Sequence, residues 1–221
     1  MSVPALRVAV LASGGGSNLQ ALLDAAQDPE AGFSVVLVVS NRADAGALAR
    51  AARAGRSAAT IREDGQDPER ILALFAESGA DLVVLAGYLK LVPAAVVSAF
   101  RGRMLNIHPA LLPAFGGPGM YGRKVHQAVL AAGARVSGAT VHVVDEVYDR
   151  GRILAQWPVP VAADDTPETL AARVLEAEHR LLPAVVRAWA RGGAAAALSL
   201  RATAFGPSPS LPAAFDDALA S

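Results

Sequence analysis

An asparagine and a histidine two residues apart in MLNIHPALLP, residues 104–113, are the side chains in this sequence whose types and spacing most directly suggest chemistry. In an extended strand alternate side chains share a face, so Asn106 and His108 stand together while Leu105 and Ile107 point the other way. Asn106 offers two amide donors, and histidine is the side chain whose ordinary pKa, about 6.5, lies near working pH. Such a pair can stabilise a developing oxyanion and move a proton. Pro109 interrupts the strand's hydrogen bonding, which puts the pair at a carboxyl edge, where open α/β sheets bind ligands. Read singly, His108 is better taken as a core histidine bonded to a carbonyl, with Asn106 a turn former; their pairing reverses that preference.

Two further stretches bear on that pair. In TVHVVDEVYDRG, residues 140–151, His142 alternates with Val141 and Val143, and Asp149 follows in the connection, with Gly151 to relieve the turn. A carboxylate brought near His108 would favour its charged form and orient the ring. Asp145, Glu146 and Asp149 taken alone read as an acidic surface turn. In ASGGGSNLQALLDA, residues 12–25, a glycine loop lets backbone N–H groups approach an anion at a helix start. Leu19 stands where a dinucleotide fingerprint needs glycine, and the Gly-Lys-Ser/Thr of a P-loop is missing. A tight strand-to-helix turn with Ser17 as N-cap explains this loop as well as a phosphate site does. The four histidines, 108, 126, 142 and 179, lack metal-site spacing, so no metal is expected.

Positioning these residues requires a sheet, and the chain supplies one. LRVAVLA (6–12), FSVVLVVS (33–40) and DLVVLAG (81–87) are near-continuous aliphatic runs, as in parallel strands covered on both faces. Segments 17–27, 44–55 and 68–79 between them carry helical spacing, with starting signals at Ser17, Asp44 and Asp67-Pro68-Glu69. Repeated β-α order implies an α/β, doubly wound, mostly parallel sheet with helices on both faces and a Rossmann-like N-terminal half. After His108 come a Gly/Pro-rich loop (114–122), a helix over about 123–132, and two adjacent strands, an antiparallel portion joined through EVYDRG. A last helix is expected from Pro167 to Ala190, with 191–221 an irregular appendage.

Composition limits the partners. With 53% hydrophobic residues among 221 the chain can bury a large core. Twenty basic and twenty acidic residues leave no overall field to hold nucleic acid. The absence of cysteine removes disulfides and thiol nucleophiles and suits a cytoplasmic protein. No apolar run near the N-terminus is long enough to span a membrane.

ASGGGSNLQAL, LAGYLKLVP, LNIHPALLPAF, GATVHVVDEVYDRGRILAQ and RVLEAEHRLLP, in that order from about residue 6 to 190, resemble the successive signatures of the phosphoribosylglycinamide formyltransferase family. The resemblance implies transfer of a formyl group from 10-formyltetrahydrofolate to the amine of glycinamide ribonucleotide in purine synthesis, without metal or covalent enzyme intermediate. It implies one catalytic domain over 1–190, with a phosphate-binding half to about 100 and a folate-binding and catalytic half beyond it. Asn106, His108 and Asp149 match its catalytic residues, Asp149 being the aspartate that raises the histidine's pKa and organises a proton-transferring water. Gly16, Ser17, Asn18 and Glu178 match the ribonucleotide side, although Glu178 by itself reads as a solvated helix face. Leu89, Lys90, Leu91 and Val92, with Asn106 and the 145–149 loop of Asp145, Glu146, Val147 and Tyr148, match the folate pocket. His142 matches a supporting histidine.

The chain departs from the family at Ala110, where many relatives have serine, and at Leu175, where some have a polar phosphate contact. The basic residue that some relatives direct at folate has only Arg62 or Arg70 as counterparts, and the glycine-rich segment GGPGMYGRKVHQA, 116–128, reads either as an ordinary surface loop or as a flap bringing Tyr121 and Lys124 near the ligand. The expected partners are small molecules, bound by a monomer or homodimer.

Three alternatives share some of these features. A formyltetrahydrofolate deformylase would be expected to carry a regulatory domain before the first strand, which only five residues precede. A methionyl-tRNA formyltransferase would be expected to carry a basic RNA-binding domain after the last helix, where the tail of 31 residues has only Arg191 and Arg201 as positive charges. A non-catalytic nucleotide-binding module would need only the glycine loop.

Overall fold

A computed structural model describes residues 4–200. In chain order the elements are β1 (Leu6–Leu11), α1 (Ser17–Ala25), β2 (Phe33–Ser40), α2 (Gly46–Arg53), β3 (Ser57–Thr60), α3 (Pro68–Ser78), β4 (Leu82–Leu85), α4 (Ala94–Ala99), β5 (Met104–His108), α5 (Arg123–Ala131), β6 (Val136–Val143), β7 (Ile153–Pro160) and α6 (Pro167–Leu198). The strands form one sheet in the order β3-β2-β1-β4-β5-β6-β7. Pairing is parallel from β3 through β5 and antiparallel for β5 with β6 and β6 with β7. The doubly wound sheet with an antiparallel portion is therefore the observed fold.

The period of two sorts side chains between the faces. Val8 and Val10 of β1, Leu82 and Val84 of β4, and Leu105 and Ile107 of β5 join the core beneath α1, α5 and α6. Ala9, Leu11, Val83, Leu85 and Met104 join the core covered by α3 and α4, where Phe75 and Phe100 pack edge to face at 5.1 Å. Fully burying each Val or Leu is worth roughly 1.5–3 kcal/mol, so slipping β5 by one residue would forfeit several such contributions. Asn106 and His108 continue the Met104 side of β5 past the cover of α4, and both reach the sheet's carboxyl edge.

Several elements begin differently from their sequence signals. Gly16, at φ 75°, caps α1 without a side-chain bond, displacing the expected Ser17 cap. A Cβ on Gly16 would lie 2.8 Å from Ala47 Cα, so the turn exists to let α1 start directly against α2. Asp44 pairs with Arg42 at 2.8 Å, and α2 is preceded by Ala45. β3, formed by Ser-Ala-Ala-Thr, is a largely exposed edge strand without an apolar run that owes its form to pairing with β2, and α4, though apolar, is six residues long and too short to show a helical period. α6 opens on a reciprocal Thr166–Thr169 capping box and continues past Ala190 through a kink at Gly192 and Gly193, burying Ala197. The first part of the expected irregular tail is thus helical, while 201–221 lie outside the described residues.

Gly151 serves a purpose other than relieving a turn: a Cβ there would sit 1.7 Å from the Val143 carbonyl oxygen, so the chain returning from Asp149 to β7 passes flush against the end of β6. Val143 N–H donates to the Arg152 carbonyl at 2.9 Å across this approach. Gly151→Ala should cost about 1–3 kcal/mol in denaturant unfolding as overpacking against backbone; a loss below about 0.5 kcal/mol would show that the link can slide aside.

Candidate active site

The carboxyl ends of β4 and β5 open into a cavity of about 580 Å³. Its walls are the segment after β4, the loop after β6, the 117–126 segment leading into α5, and the cavity-facing side of α6. Asn106 and His108 form its floor beside β6, because antiparallel pairing sets Asn106 opposite His142 and His108 opposite Thr140.

Asp149 completes the group. It adopts φ 56°, a left-handed conformation uncommon outside glycine, and its side chain turns back over β5. Oδ2 accepts the Gly117 N–H at 2.9 Å and lies 3.6 Å from His108 Nδ1. Oδ1 lies 3.5 Å from both Asn106 Nδ2 and His142 Nε2. Asn106, His108, His142 and Asp149 therefore converge.

Hydrogen bonding assigns the ring nitrogens. His108 Nε2 is 2.9 Å from the Phe115 carbonyl, which only accepts, so Nε2 carries hydrogen and Nδ1 faces Asp149. His142 Nδ1 donates to the Val143 carbonyl at 3.0 Å, leaving Nε2 to accept from the Asn106 amide at 3.1 Å. That contact fixes which end of the Asn106 amide is the donor. His142 thus bonds to Asn106 and belongs to the site. The Phe115 carbonyl and Gly117 amide were not anticipated from sequence; the Gly/Pro-rich composition of 114–122 was the only signal of their loop.

The electrostatics differ from the expectation in one respect. Burial lowers the His108 pKa, and although Asp149 and the Phe115 bond push it up, burial prevails with help from His142. The aspartate raises the histidine's pKa only relative to the same buried ring without it. Burial of Asp149 would raise its pKa, but the His142 contact, the Gly117 amide and the two imidazoles outweigh this and leave it lowered. The group rests as a carboxylate beside a neutral His108.

The remaining positions separate. Leu89, Lys90, Leu91 and Val92 line the cavity on one side, and Asp145, Val147 and Tyr148 on another. Glu146 does not line it, because its carboxylate turns outward to pair with Arg101. Asn18 and Glu178 line the far end, joined by a 2.6 Å bond from Asn18 Nδ2 to Glu178 Oε2. Glu178 is buried rather than solvated, and burial, opposed only by the Asn18 bond, pushes its pKa up to about 7. Gly16 and Ser17 stay outside the cavity lining; at the start of α1 the N–H groups of Ser17, Asn18 and Leu19 have no acceptor among the described residues.

Leu175 and Tyr121 line the cavity, whereas Lys124 stacks on the Tyr121 ring at 4.8 Å from its centroid. Ala110 is fully buried. Arg62 pairs with Asp64 at 2.8 Å in a depression shared with Lys90, and Arg70 lines none of these cavities. Among the described residues no group of three or more His, Cys, Asp or Glu is arranged to hold a metal ion, and no helix is long and apolar enough to cross a membrane.

A seven-stranded sheet of this order, with an Asn-His-Asp cluster at its carboxyl edge, defines the class. The chain belongs to the formyl transferase family, whose model matches residues 6–186. It is 50% identical over 188 residues to the chloroplastic phosphoribosylglycinamide formyltransferase of Arabidopsis thaliana, an alignment covering 82% of this chain and 64% of that protein. The chain thus spans less than two thirds of that plant relative. The crystal structure of phosphoribosylglycinamide formyltransferase from Brucella melitensis superposes with a TM-score of 0.78 at 44% identity, covering 85% of this chain and 97% of that one. A formyltetrahydrofolate deformylase from Pseudomonas syringae superposes with a TM-score of 0.76 at 26% identity, covering 85% of this chain and 62% of the other.

Glu178 has a pH consequence of definite sign. Its folded pKa of about 7 stands above its ordinary 4.5, so the stability gained from keeping it protonated is complete below about 4.5 and lost as pH rises through 7. Glu178→Gln, permanently neutral, should match the native protein in unfolding free energy near pH 4 and exceed it near pH 8 by on the order of 3 kcal/mol. Equal stability at both pH values would mean that Glu178 is ionised without penalty in the ligand-free protein.

Proposed function

We propose that this chain transfers the formyl group of 10-formyltetrahydrofolate to the primary amine of glycinamide ribonucleotide, a step of purine synthesis. The observation that carries this reading is the convergence of Asn106, His108 and Asp149 between two unlike ends of one cavity. Unbonded helix-terminal N–H groups and the buried Asn18–Glu178 pair lie towards one end, suited to a phosphorylated sugar. Aliphatic walls with unbonded backbone groups lie at the other, suited to a flat pterin.

In this reading the amine attacks the formyl carbon, and the carbonyl oxygen gathers negative charge in a tetrahedral species. Asn106 Nδ2, held by His142, donates to that oxygen. His108 starts neutral with Nδ1 free of hydrogen, so it first acts as a base and takes the proton released by the attacking amine. Asp149 then stabilises the resulting imidazolium, as a buried carboxylate does in a catalytic triad. The same proton passes from Nδ1 to N10 of the folate as the carbon–N10 bond breaks, giving formylated ribonucleotide and tetrahydrofolate with every proton accounted for. The 3.6 Å between Nδ1 and Asp149 is long for a hydrogen bond, consistent with a contact that tightens when the ring becomes charged. The chain works on small molecules, in the cytoplasm, and needs no metal for these steps.

A deformylase uses the same cluster with water in place of the amine, so the ribonucleotide decides between them. Loss of 10-formyltetrahydrofolate should require glycinamide ribonucleotide and give no free formate; equal release without it would assign a hydrolase. His108→Ala should lower kcat by about 10²–10⁴ with KM values changed only a few fold, and Asn106→Ala should lower it by about 10²–10³. Unaltered turnover in both variants would remove the cluster from the chemistry, and ligand binding with no turnover in the native protein would leave a binding module.

A further inference from the structure

Ser13 belongs to the glycine-loop motif yet lines none of the cavities described, and its side chain is hydrogen-bonded on both sides. It is 3% exposed. Its Oγ donates to Asn41 Oδ1 at 2.7 Å and accepts the Leu89 N–H at 2.9 Å, while its own N–H donates to the Gly87 carbonyl at 3.0 Å. Asn41, also buried, is oriented by its Nδ2 bond to the Glu63 carbonyl at 2.9 Å. That bond settles which Asn41 atom is the oxygen and directs the Ser13 proton towards it. A lone pair on Oγ is left for Leu89.

We propose that Ser13 is a positioning residue for the folate side of the site, its hydroxyl pinning the 87–92 segment to the end of β1 so that backbone groups of Lys90 and Val92 are presented to the pterin. The proposal rests on the formyl-transfer reading above. Within this segment the Leu89 N–H goes to Ser13 and the Leu91 carbonyl accepts Gln66 Nε2 at 3.2 Å. The Lys90 N–H and carbonyl and the Val92 N–H have no partner among the described residues. The segment is therefore held through alternate residues and open through the ones between. A third restraint comes from Gly65, where a Cβ would fall 2.9 Å from Lys90 Cβ and 2.7 Å from the Tyr88 hydroxyl. Of these restraints only Ser13 reaches the segment from inside, and it directly precedes the glycine loop whose helix carries Asn18. One hydroxyl thus ties the pterin wall to the turn that starts the ribonucleotide side.

Ser13→Ala leaves the Leu89 N–H unpaired in a part-buried place and frees the segment to shift. The expected result is a KM and Kd for 10-formyltetrahydrofolate raised about tenfold, with kcat and the ribonucleotide KM within about threefold. Amide hydrogen exchange should quicken across 87–92 and hold steady across 104–108. Ser13→Cys, which keeps a weak donor and acceptor on a larger atom, should fall between the native and alanine forms and serves if the alanine variant folds poorly. A damaged fold would move both KM values and both exchange segments together, which would overturn the proposal. So would a native folate Kd with native exchange at 87–92. Native protein that binds no reduced folate would instead overturn the formyl-transfer reading, and this proposal with it.

Discussion

The site is organised by one buried carboxylate. Asp149 is held in a left-handed backbone conformation between two imidazoles, an asparagine amide and the Gly117 N–H, so a single side chain ties together β5, β6, the link to β7 and the loop that covers them. Burying a carboxylate is costly unless its charge is met by donors; the Gly117 N–H at 2.9 Å and the Asn106 amide at 3.5 Å donate to it, and two imidazoles lie within 3.6 Å to take up a proton beside it. Remove that charge and the two histidines lose their common partner, the loop loses its anchor, and the left-handed turn loses its reason to exist.

The sheet's change of direction is the constraint behind this arrangement. Parallel strands β1, β4 and β5 deliver glycine loop, apolar segment and Asn-His pair to the same edge, as a doubly wound sheet must. The antiparallel strand β6 enters beside the carboxyl end of β5 and leaves opposite Leu105 near its amino end, so His142 arrives beside Asn106 and the chain must come back along β5 to place Asp149. Glycine is required where these segments crowd one another: at Gly16 against α2, and at Gly151 against the last carbonyl of β6.

Those two scales of organisation differ in how far they can be read from sequence. The strands around β1, β2 and β4 are legible because strands buried on both faces become continuous aliphatic runs, and the Asn106–His108 pair is legible because a period of two leaves no choice of face. Asp149 is legible only through family resemblance, since nothing local says that a residue in an acidic turn folds back over β5. The register that puts His142 opposite Asn106, the Phe115 carbonyl and the Gly117 amide are products of tertiary packing and have no local signature. Edge strand β3 and the glycine-capped start of α1 escape detection for the same reason; six-residue α4 is too short to show a helical period, and the helix propensity of the alanine run at 194–197 is masked by Gly192 and Gly193 before it. The direction of the His108 pKa depends on the balance of burial against a carboxylate, a quantity set by coordinates rather than by residue types. Glu178 makes the point in reverse: its helical position suggests solvent, whereas the packing of α6 on α1 buries it beside Asn18.

That balance at His108 also bears on transfer against hydrolysis. A deformylase can share this fold, so neither the sheet nor the cluster excludes water as the nucleophile. A neutral imidazole is an equally competent base for an amine or for water. Selection must then come from occupancy. A ribonucleotide spanning from the start of α1 past the Asn18–Glu178 pair would put its amine where water otherwise stands and seal the cavity from that end, raising the amine's effective concentration while excluding its competitor. In the proposed reading the cluster would supply the chemistry, and the buried polar pair along the same cavity would supply the preference for an amine.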